Sequence, residues 1–173
     1  ILPAGTVPDG FAVPFHFYDE FMKKNGFYDE AKRMMANPRF KADPAVREQM
    51  LDDFRRKMRR AEIPPALAAD LRAKQRSFPD GTPLRCRSST NNEDLPGFNG
   101  AGLYDSYTHR ADEGDLEGTV KQVWASLWNY RAFEERDFYR IDHFAAAMGV
   151  LVDRNFDDEQ SNGVEITKNP FDP

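Results

Sequence analysis

The sequence predicts an α+β fold, a helical cap over a mostly antiparallel sheet. Three observations carry that expectation. Proline-initiated amphipathic segments fill the first half, short apolar runs between turn formers fill the second, and one strong helix period at 116–128 lies among those runs. Helices packed on a sheet, rather than alternating with parallel strands, follow from that order. The turn Pro79-Asp80-Gly81 marks the change of texture, so 1–78 is expected as the helical region and 79–173 as the sheet region.

Val7-Pro8-Asp9-Gly10 places turn formers ahead of the apolar triplet Phe11-Ala12-Val13, a loop running into a short strand. Pro14 opens a helix through about Lys24, with Gly26 placed to cap its end. A second helix is expected over Tyr28 to Met35. Asp43-Pro44 starts a third, in which Val46, Met50, Phe54 and Met58 recur every four residues beside Leu51. A fourth covers Pro65 to Arg76.

Beyond the turn, Leu84 to Ser88 reads as a strand, 89–102 as a functional loop and Leu103 to His109 as a second strand. Asp115 or a neighbour is expected to cap the next helix, whose Leu116, Val120, Val123, Trp124, Leu127 and Trp128 keep to one face. A further helix spans about Arg131 to Phe138. Ala147 to Val152 and Gly163 to Thr167 read as strands joined by an acidic turn at Asp157-Asp158-Glu159.

Composition narrows the function classes. With 173 residues, 40% apolar and 31% charged, the chain can bury one sizeable core, and its 14 Phe supply large side chains for it. No run approaches the ~20 apolar residues of a membrane span. The amino terminus has no basic segment before an apolar block, so no signal peptide is expected; without an initiator methionine the chain reads as part of a longer one. Net charge −5 argues against a nucleic-acid partner. The basic cluster Arg55 to Arg60 has acidic neighbours on its helix and reads as a solvated face. The single cysteine, Cys86, fits a reducing, cytoplasmic setting and a buried strand position better than a reactive thiol.

The chemistry concentrates at Arg87-Ser88-Ser89-Thr90-Asn91-Asn92-Glu93-Asp94 and the following Gly97-Phe98-Asn99-Gly100-Ala101-Gly102. Arginine offers paired planar donors to phosphate oxygens, and glycine lets successive backbone amides approach an anion. Together these point to a phosphate site and nucleotide chemistry. No Gly-Lys-Ser/Thr follows, so this is not a Walker sequence, and a strand rather than a helix is expected after the loop, against a dinucleotide fingerprint. Taken alone, Arg87 is equally compatible with tying the loop down through Glu93 or Asp94, and the glycines with a plain hairpin. Asp153, Arg154 and Asn155 close an apolar run. They read either as a polar strand exit or as a purine edge site, with Asp153 accepting from an exocyclic amine. His16, His109 and His143 have no metal-ligand spacing, and neither Glu134-Glu135 nor any Ser/His/Asp set forms a legible catalytic group. Trp124 and Trp128 read as core.

These residues resemble a known family. Arg87 to Pro96 is similar to the Arg-Ser-Ser-Ala-x-x-Glu-Asp-x-Pro signature of the amino-terminal nucleotide-binding domain of phosphoenolpyruvate synthase and pyruvate phosphate dikinase. Ala101-Gly102-Leu103-Tyr104-Asp105-Ser106 resembles its Ala-Gly-Gln-Tyr-Glu-Thr loop, and Ala125-Ser126-Leu127-Trp128 followed by Arg131-Ala132-Phe133 its Ala-Ser-Leu-x-x-x-Arg-Ala-x-x-Tyr-Arg helix. Asn162 to Pro170 resembles its Ser-Gly-Val-x-Phe-Thr-x-Asn-Pro strand, and Val7 to Phe11 its Val-Pro-x-Gly-Phe segment. The resemblance implies the first lobe of an ATP-grasp fold and a dikinase half-reaction, in which ATP phosphorylates a histidine on a separate swivelling domain that then serves a pyruvate domain. By position, Arg87 would hold the ATP phosphates as the catalytic cation. Gly100, Ala101, Gly102 and Ser106 would form the flap above them. Leu151 to Asn155, with Val152, Asp153 and Asn155, would form the adenine hinge. The chain departs from the family at Asp153, where the hinge usually carries Gln, at Leu103, where the flap carries Gln, and conservatively at Ser106. Mg²⁺ ligands are expected outside this chain, so the chain alone is expected to be inactive. A related dikinase acting on a glucan or antibiotic hydroxyl, or a degenerate ATP-grasp module with a regulatory role, are the alternatives.

Overall fold

Each predicted helix starts where its local chemistry says it should. In the computed structural model, which describes residues 3, 6 and 8–157 (Asp94 by its backbone alone), α1 runs Phe15–Lys24 behind Pro14 and α2 runs Phe27–Ala36. Gly26, between them, takes φ +66°, the left-handed conformation a side chain disfavours. A short helix the sequence reading omitted, α3 (Pro38–Ala42), is capped by Asn37, whose side chain accepts from Arg39 N. α4 (Pro44–Arg60) is capped by Asp43, which accepts from Ala45 N and Val46 N at 3.0 and 3.3 Å with Pro44 at the first turn. α5 is Pro65–Gln75.

The second half differs from expectation in three places. The strand β2 continues through Thr90 (Leu84–Thr90), because its partner strand keeps pairing with it there. The loop that follows is not bare: Asp94–Leu95 (β3) and Phe98–Asn99 (β4) form a two-stranded hairpin. The strand expected over 103–109 shrinks to β5 (Tyr107–His109), since the backbone of 103–106 is held by side chains instead. After a 3₁₀ turn at Ala111–Glu113 comes α6 (Glu117–Ser126). Its cap is not the Asp115 side chain. Gln75, at the end of α5, accepts from Leu116 N at 3.0 Å and so supplies the acceptor that a local cap would give. α7 (Tyr130–Phe138) is capped by Asn129, and β6 is Met148–Arg154. The strand expected at Gly163 to Thr167 lies outside the described residues.

The four main strands order as β1-β6-β2-β5, every pair antiparallel, with β1 being Gly10–Val13. Side chains alternate across a strand, so directly paired residues share a face. One face, with Val13, Leu84, Cys86, Met148, Val150 and Val152, joins the core beneath α6 and α1. α4 packs on the far side of α6. Of the four-residue recurrence in α4, Phe54 and Met58 are buried, with Leu51 beside them, while Val46 and Met50 are half-buried; all six apolar residues of the 116–128 stripe are buried. A single cluster takes residues from both halves of the chain. Trp128 sits at its centre, edge-on to Phe54 at 5.1 Å and donating from Nε1 to the buried Tyr18 hydroxyl at 2.9 Å. Burial pushes the Cys86 thiol up to about 12, which suits an inert core residue.

His143 ends this core. Its ring stacks flat on Phe133, centroids 4.1 Å apart, and its Nδ1 accepts from the Arg136 guanidinium at 3.2 Å, which leaves the proton on Nε2. Burial first, then the Arg136 cation, holds His143 down at about 4, against an upward pull from Asp137 and Asp142. The unfolded imidazole takes up a proton near its ordinary 6.5, well before the folded one does. The neutral ring therefore contributes stability above that range, and the contribution is lost as pH falls from about 6.5 toward 4. Urea unfolding of wild type and His143→Gln will show their stability gap closing by about 3 kcal/mol across that window; a gap independent of pH would contradict this placement of the ring.

Candidate phosphate and nucleotide site

The other face of the sheet is open. Ala12, Arg87, Ser89 and Leu151 are exposed on it, with Arg85, Thr108 and Asp153 partly so; at its Gly149 end the Phe15 ring, at the start of α1, lies 3.2 Å from where a glycine Cβ would stand. An antiparallel sheet tolerates one solvated face, but here it carries two arginines and a carboxylate rather than a scattering of small polar groups. Arg87 lies opposite Leu151 in the register and Arg85 opposite Asp153.

Two of the predicted site residues meet directly. Arg87 Nε donates to Asp153 Oδ2 at 3.1 Å, with the arginine side chain 53% and the aspartate 15% exposed. The ion-pair partner of Arg87 is thus Asp153, across the ladder, and not Glu93 in the loop ahead of it. Asp153 Oδ1 is buried and takes no hydrogen bond from the described residues. Beside this pair, Arg85 Nη1 donates to Thr108 Oγ1 at 3.0 Å, and that hydroxyl donates to Asn155 Oδ1 at 3.2 Å. Asn155 N donates to Pro83 O at 2.8 Å, fixing the exit of β6. Arg87, Asp153 and Asn155 therefore belong to one polar strip. Val152 does not: its side chain points into the core, and its strand is paired on both sides, with Phe11 and with Cys86. Of the expected hinge, Leu151 and Asp153 turn their side chains to this face, and Asp153 is the polar one of the two.

The glycine segment is a closed hairpin. Gly100 N donates to Glu93 O at 2.7 Å, and a Cβ at Gly100 would stand 3.1 Å from Glu93 Cα and 3.2 Å from Asn92 O, too close for an unmoved backbone. Ala101 N donates to Asn99 Oδ1 at 2.9 Å. Gly102 has φ +73° and open space around it, and among the described residues its N–H has no acceptor. Ser106 serves the sheet: its hydroxyl accepts from Ser88 N at 3.1 Å, one step past the last β2–β5 pair, and so extends the ladder with a side chain. Leu103 is buried with Phe98 and Ala132, which accounts for an apolar residue there. A groove beside the hairpin is lined by Asn99, Ala101, Leu103, Arg131 and Tyr139.

The stems of the hairpin depend on residues that the sequence reading did not single out. Asn91 exchanges bonds with Ala145 O and Ala147 N, at 2.9 and 2.8 Å. Leu103 O accepts from Asn129 Nδ2 at 2.8 Å, and Asp105 N donates to the buried Ser126 hydroxyl at 3.1 Å. Asn92 and Tyr104, one on each stem, share hydrogen bonds at 3.1 and 3.3 Å. Arg136 Nη1 donates to the same Tyr104 hydroxyl at 3.3 Å. The available signal was the helix period: Arg136 falls three after Phe133 and four after Ala132, on the buried stripe of α7. Among the described residues no cluster of His, Cys, Asp or Glu can hold a metal ion, and no helix is long and apolar enough to cross a membrane.

Comparisons with known proteins agree with the motifs. The family model described as "Pyruvate phosphate dikinase, AMP/ATP-binding domain" matches residues 5–173. The phosphoenolpyruvate synthase of Aeropyrum pernix is 32% identical over 171 residues, 95% of this chain and 20% of that protein. A probable phosphoenolpyruvate synthase of Staphylothermus marinus is 29% identical with the same coverage, and the rifampicin phosphotransferase of Bacillus cereus is 27% identical over 165 residues, 95% of this chain and 19% of that one. The chain spans about a fifth of the length of the curated relatives it matches. With its arginine-bearing strand, its glycine hairpin and the family model covering nearly its full length, this chain belongs to the AMP/ATP-binding domain family of pyruvate phosphate dikinase.

Proposed function

We propose that this chain is the phosphate-binding lobe of an ATP-grasp domain in a dikinase-like phosphotransferase. The observation that carries the reading is the open sheet face, where Arg87 stands half-exposed, with the glycine hairpin following the same strand. Arg87 would leave Asp153 for the ATP phosphates. The ion pair is half-exposed on the arginine side and holds Arg87 through Nε to a single carboxylate oxygen, so the guanidinium can exchange one charge-assisted partner for phosphates that carry more charge and more acceptor oxygens. The guanidinium then stabilises charge on the transferred group. The apolar strip of Ala12 and Leu151 lies on the same face, and the Gly102 amide is the donor the hairpin leaves unbonded among the described residues. Released from Arg87, Asp153 becomes an acceptor for the adenine amino group, and Asn155 holds the strand exit in place.

The phosphate would pass to a histidine on a separate swivelling domain, and from there to pyruvate or, as the name of one relative implies, to a drug hydroxyl. Mg²⁺ would supply charge neutralisation and in-line positioning, with ligands beyond the described residues. A cytoplasmic setting fits the buried thiol of the lone cysteine. One observation favours the second reading, a regulatory nucleotide module: Arg87 and the Gly100 and Ala101 amides are all engaged internally.

Calorimetric titration of ATP into wild type and Arg87→Ala tests the assignment of Arg87, which both readings share. Loss of one charge-assisted contact predicts about 10- to 100-fold weaker binding with an unchanged unfolding midpoint. Equal affinities would overturn the assignment of Arg87, and an absence of nucleotide binding in a chain restored to the full length of its relatives would favour neither reading of the site as nucleotide-dependent.

A further inference from the structure

We propose that Arg136 is the positioning residue of the glycine hairpin, acting through Tyr104 and Asn92; this rests on the reading of that hairpin as the phosphate flap. Arg136 is fully buried, and no carboxylate among the described residues pairs with it. A buried cation without a counter-ion is costly, and it is tolerated only when its donors are satisfied. Each of its three nitrogens finds an acceptor. Nη2 donates to Leu127 O at 2.6 Å, Nε to His143 Nδ1 at 3.2 Å and Nη1 to Tyr104 Oη at 3.3 Å.

The first two bonds stay inside the helical core. The Leu127 carbonyl lies at the end of α6, where helical carbonyls lack partners, and His143 is stacked on Phe133. Only the third leaves the core for the hairpin. Tyr104 Oη also shares hydrogen bonds with the Asn92 side chain, itself 97% buried by its 3% exposure. Asn92 and Tyr104 are the two stems, so their bond closes a loop of residues 93–103, and Arg136 fixes that closure to α7. Inside the closure, Gly100 N reaches Glu93 O at 2.7 Å and Gly102 presents its free amide. The guanidinium is the only cation in this chain of contacts, and its planar fork serves the three acceptors in three directions, which an ammonium cannot do in the same geometry.

Tyr104→Phe removes the outward bond and leaves Arg136 its two core acceptors, so it tests positioning apart from folding; Arg136→Lys is the companion variant. In the full chain, amide exchange is followed at Gly100 and Gly102 and in α4 and α6, while inorganic tripolyphosphate and adenosine are titrated separately. In Tyr104→Phe, exchange at Gly100 is expected to quicken about tenfold, the scale of one lost hydrogen bond, with α4 and α6 unchanged. Tripolyphosphate affinity is expected to fall by a similar factor and adenosine affinity to hold. Unchanged exchange at Gly100, or exchange quickened equally in α4 and α6, would overturn the proposal, as would equal losses for the two ligands. If wild type takes up no tripolyphosphate, the phosphate reading of the hairpin fails, and the exchange at Gly100 alone decides whether Arg136 positions it.

Discussion

Everything at the candidate site depends on the antiparallel register between β2 and β6. That register sets Arg87 opposite Leu151 and Arg85 opposite Asp153, and strand alternation then sends Cys86, Val150 and Val152 to the other side. A slip of one residue would bury both arginines beneath α6 and expose the apolar set. The register is held by the side that is buried: α6, with Val120, Val123 and Trp124, packs on the face that carries Leu84, Cys86, Val150 and Val152. Hydrophobic packing on one face thereby fixes the placement of charge on the other.

The hairpin solves a different problem. The glycine segment bonds its Gly100 and Ala101 amides internally, leaves the Gly102 amide unbonded among the described residues, and needs its shape fixed. Here shape is maintained from outside: Asn91, Asn129, Ser126 and the Arg136–Tyr104–Asn92 chain hold the stems by side-chain bonds, while Gly100 permits the close approach to Glu93. Ser106 shows the same economy, finishing the β2–β5 ladder with a hydroxyl where the backbone has turned away. The departure of this chain at Leu103 is a packing choice, since the side chain joins Phe98 and Ala132 under the hairpin. Its departure at Asp153 is electrostatic, because it gives Arg87 a partner within the ladder.

The helices and the α+β class were legible because their signals are local: Asp43-Pro44 as a cap, the 116–128 stripe, the turn at 79–81. The family was legible in the motif around Arg87 and its companions. What the sequence does not display is pairing across distance. Arg87 and Asp153 are 66 positions apart, and no local pattern joins them. The short α3 was missed because it is five residues long, below any readable period. Arg136 and Asn92 lie within the motifs, but their buried roles are not legible there, because an arginine or asparagine read alone is solvent-facing by default and only the fold supplies the partners that reverse that. Val152 was grouped with Asp153 by position, although alternation sends the two side chains to opposite faces.

The central claim is that nucleotide binds on the open face of this sheet. Mapping amide chemical-shift changes on titration with ATP tests it most directly. The account predicts changes concentrated at Arg85, Arg87, Ser89, Leu151, Asp153 and Gly102, with α2 and α4 silent. Changes centred elsewhere, for example on the polar pocket of Arg72, Arg76 and His109 at the end of α5, would contradict it.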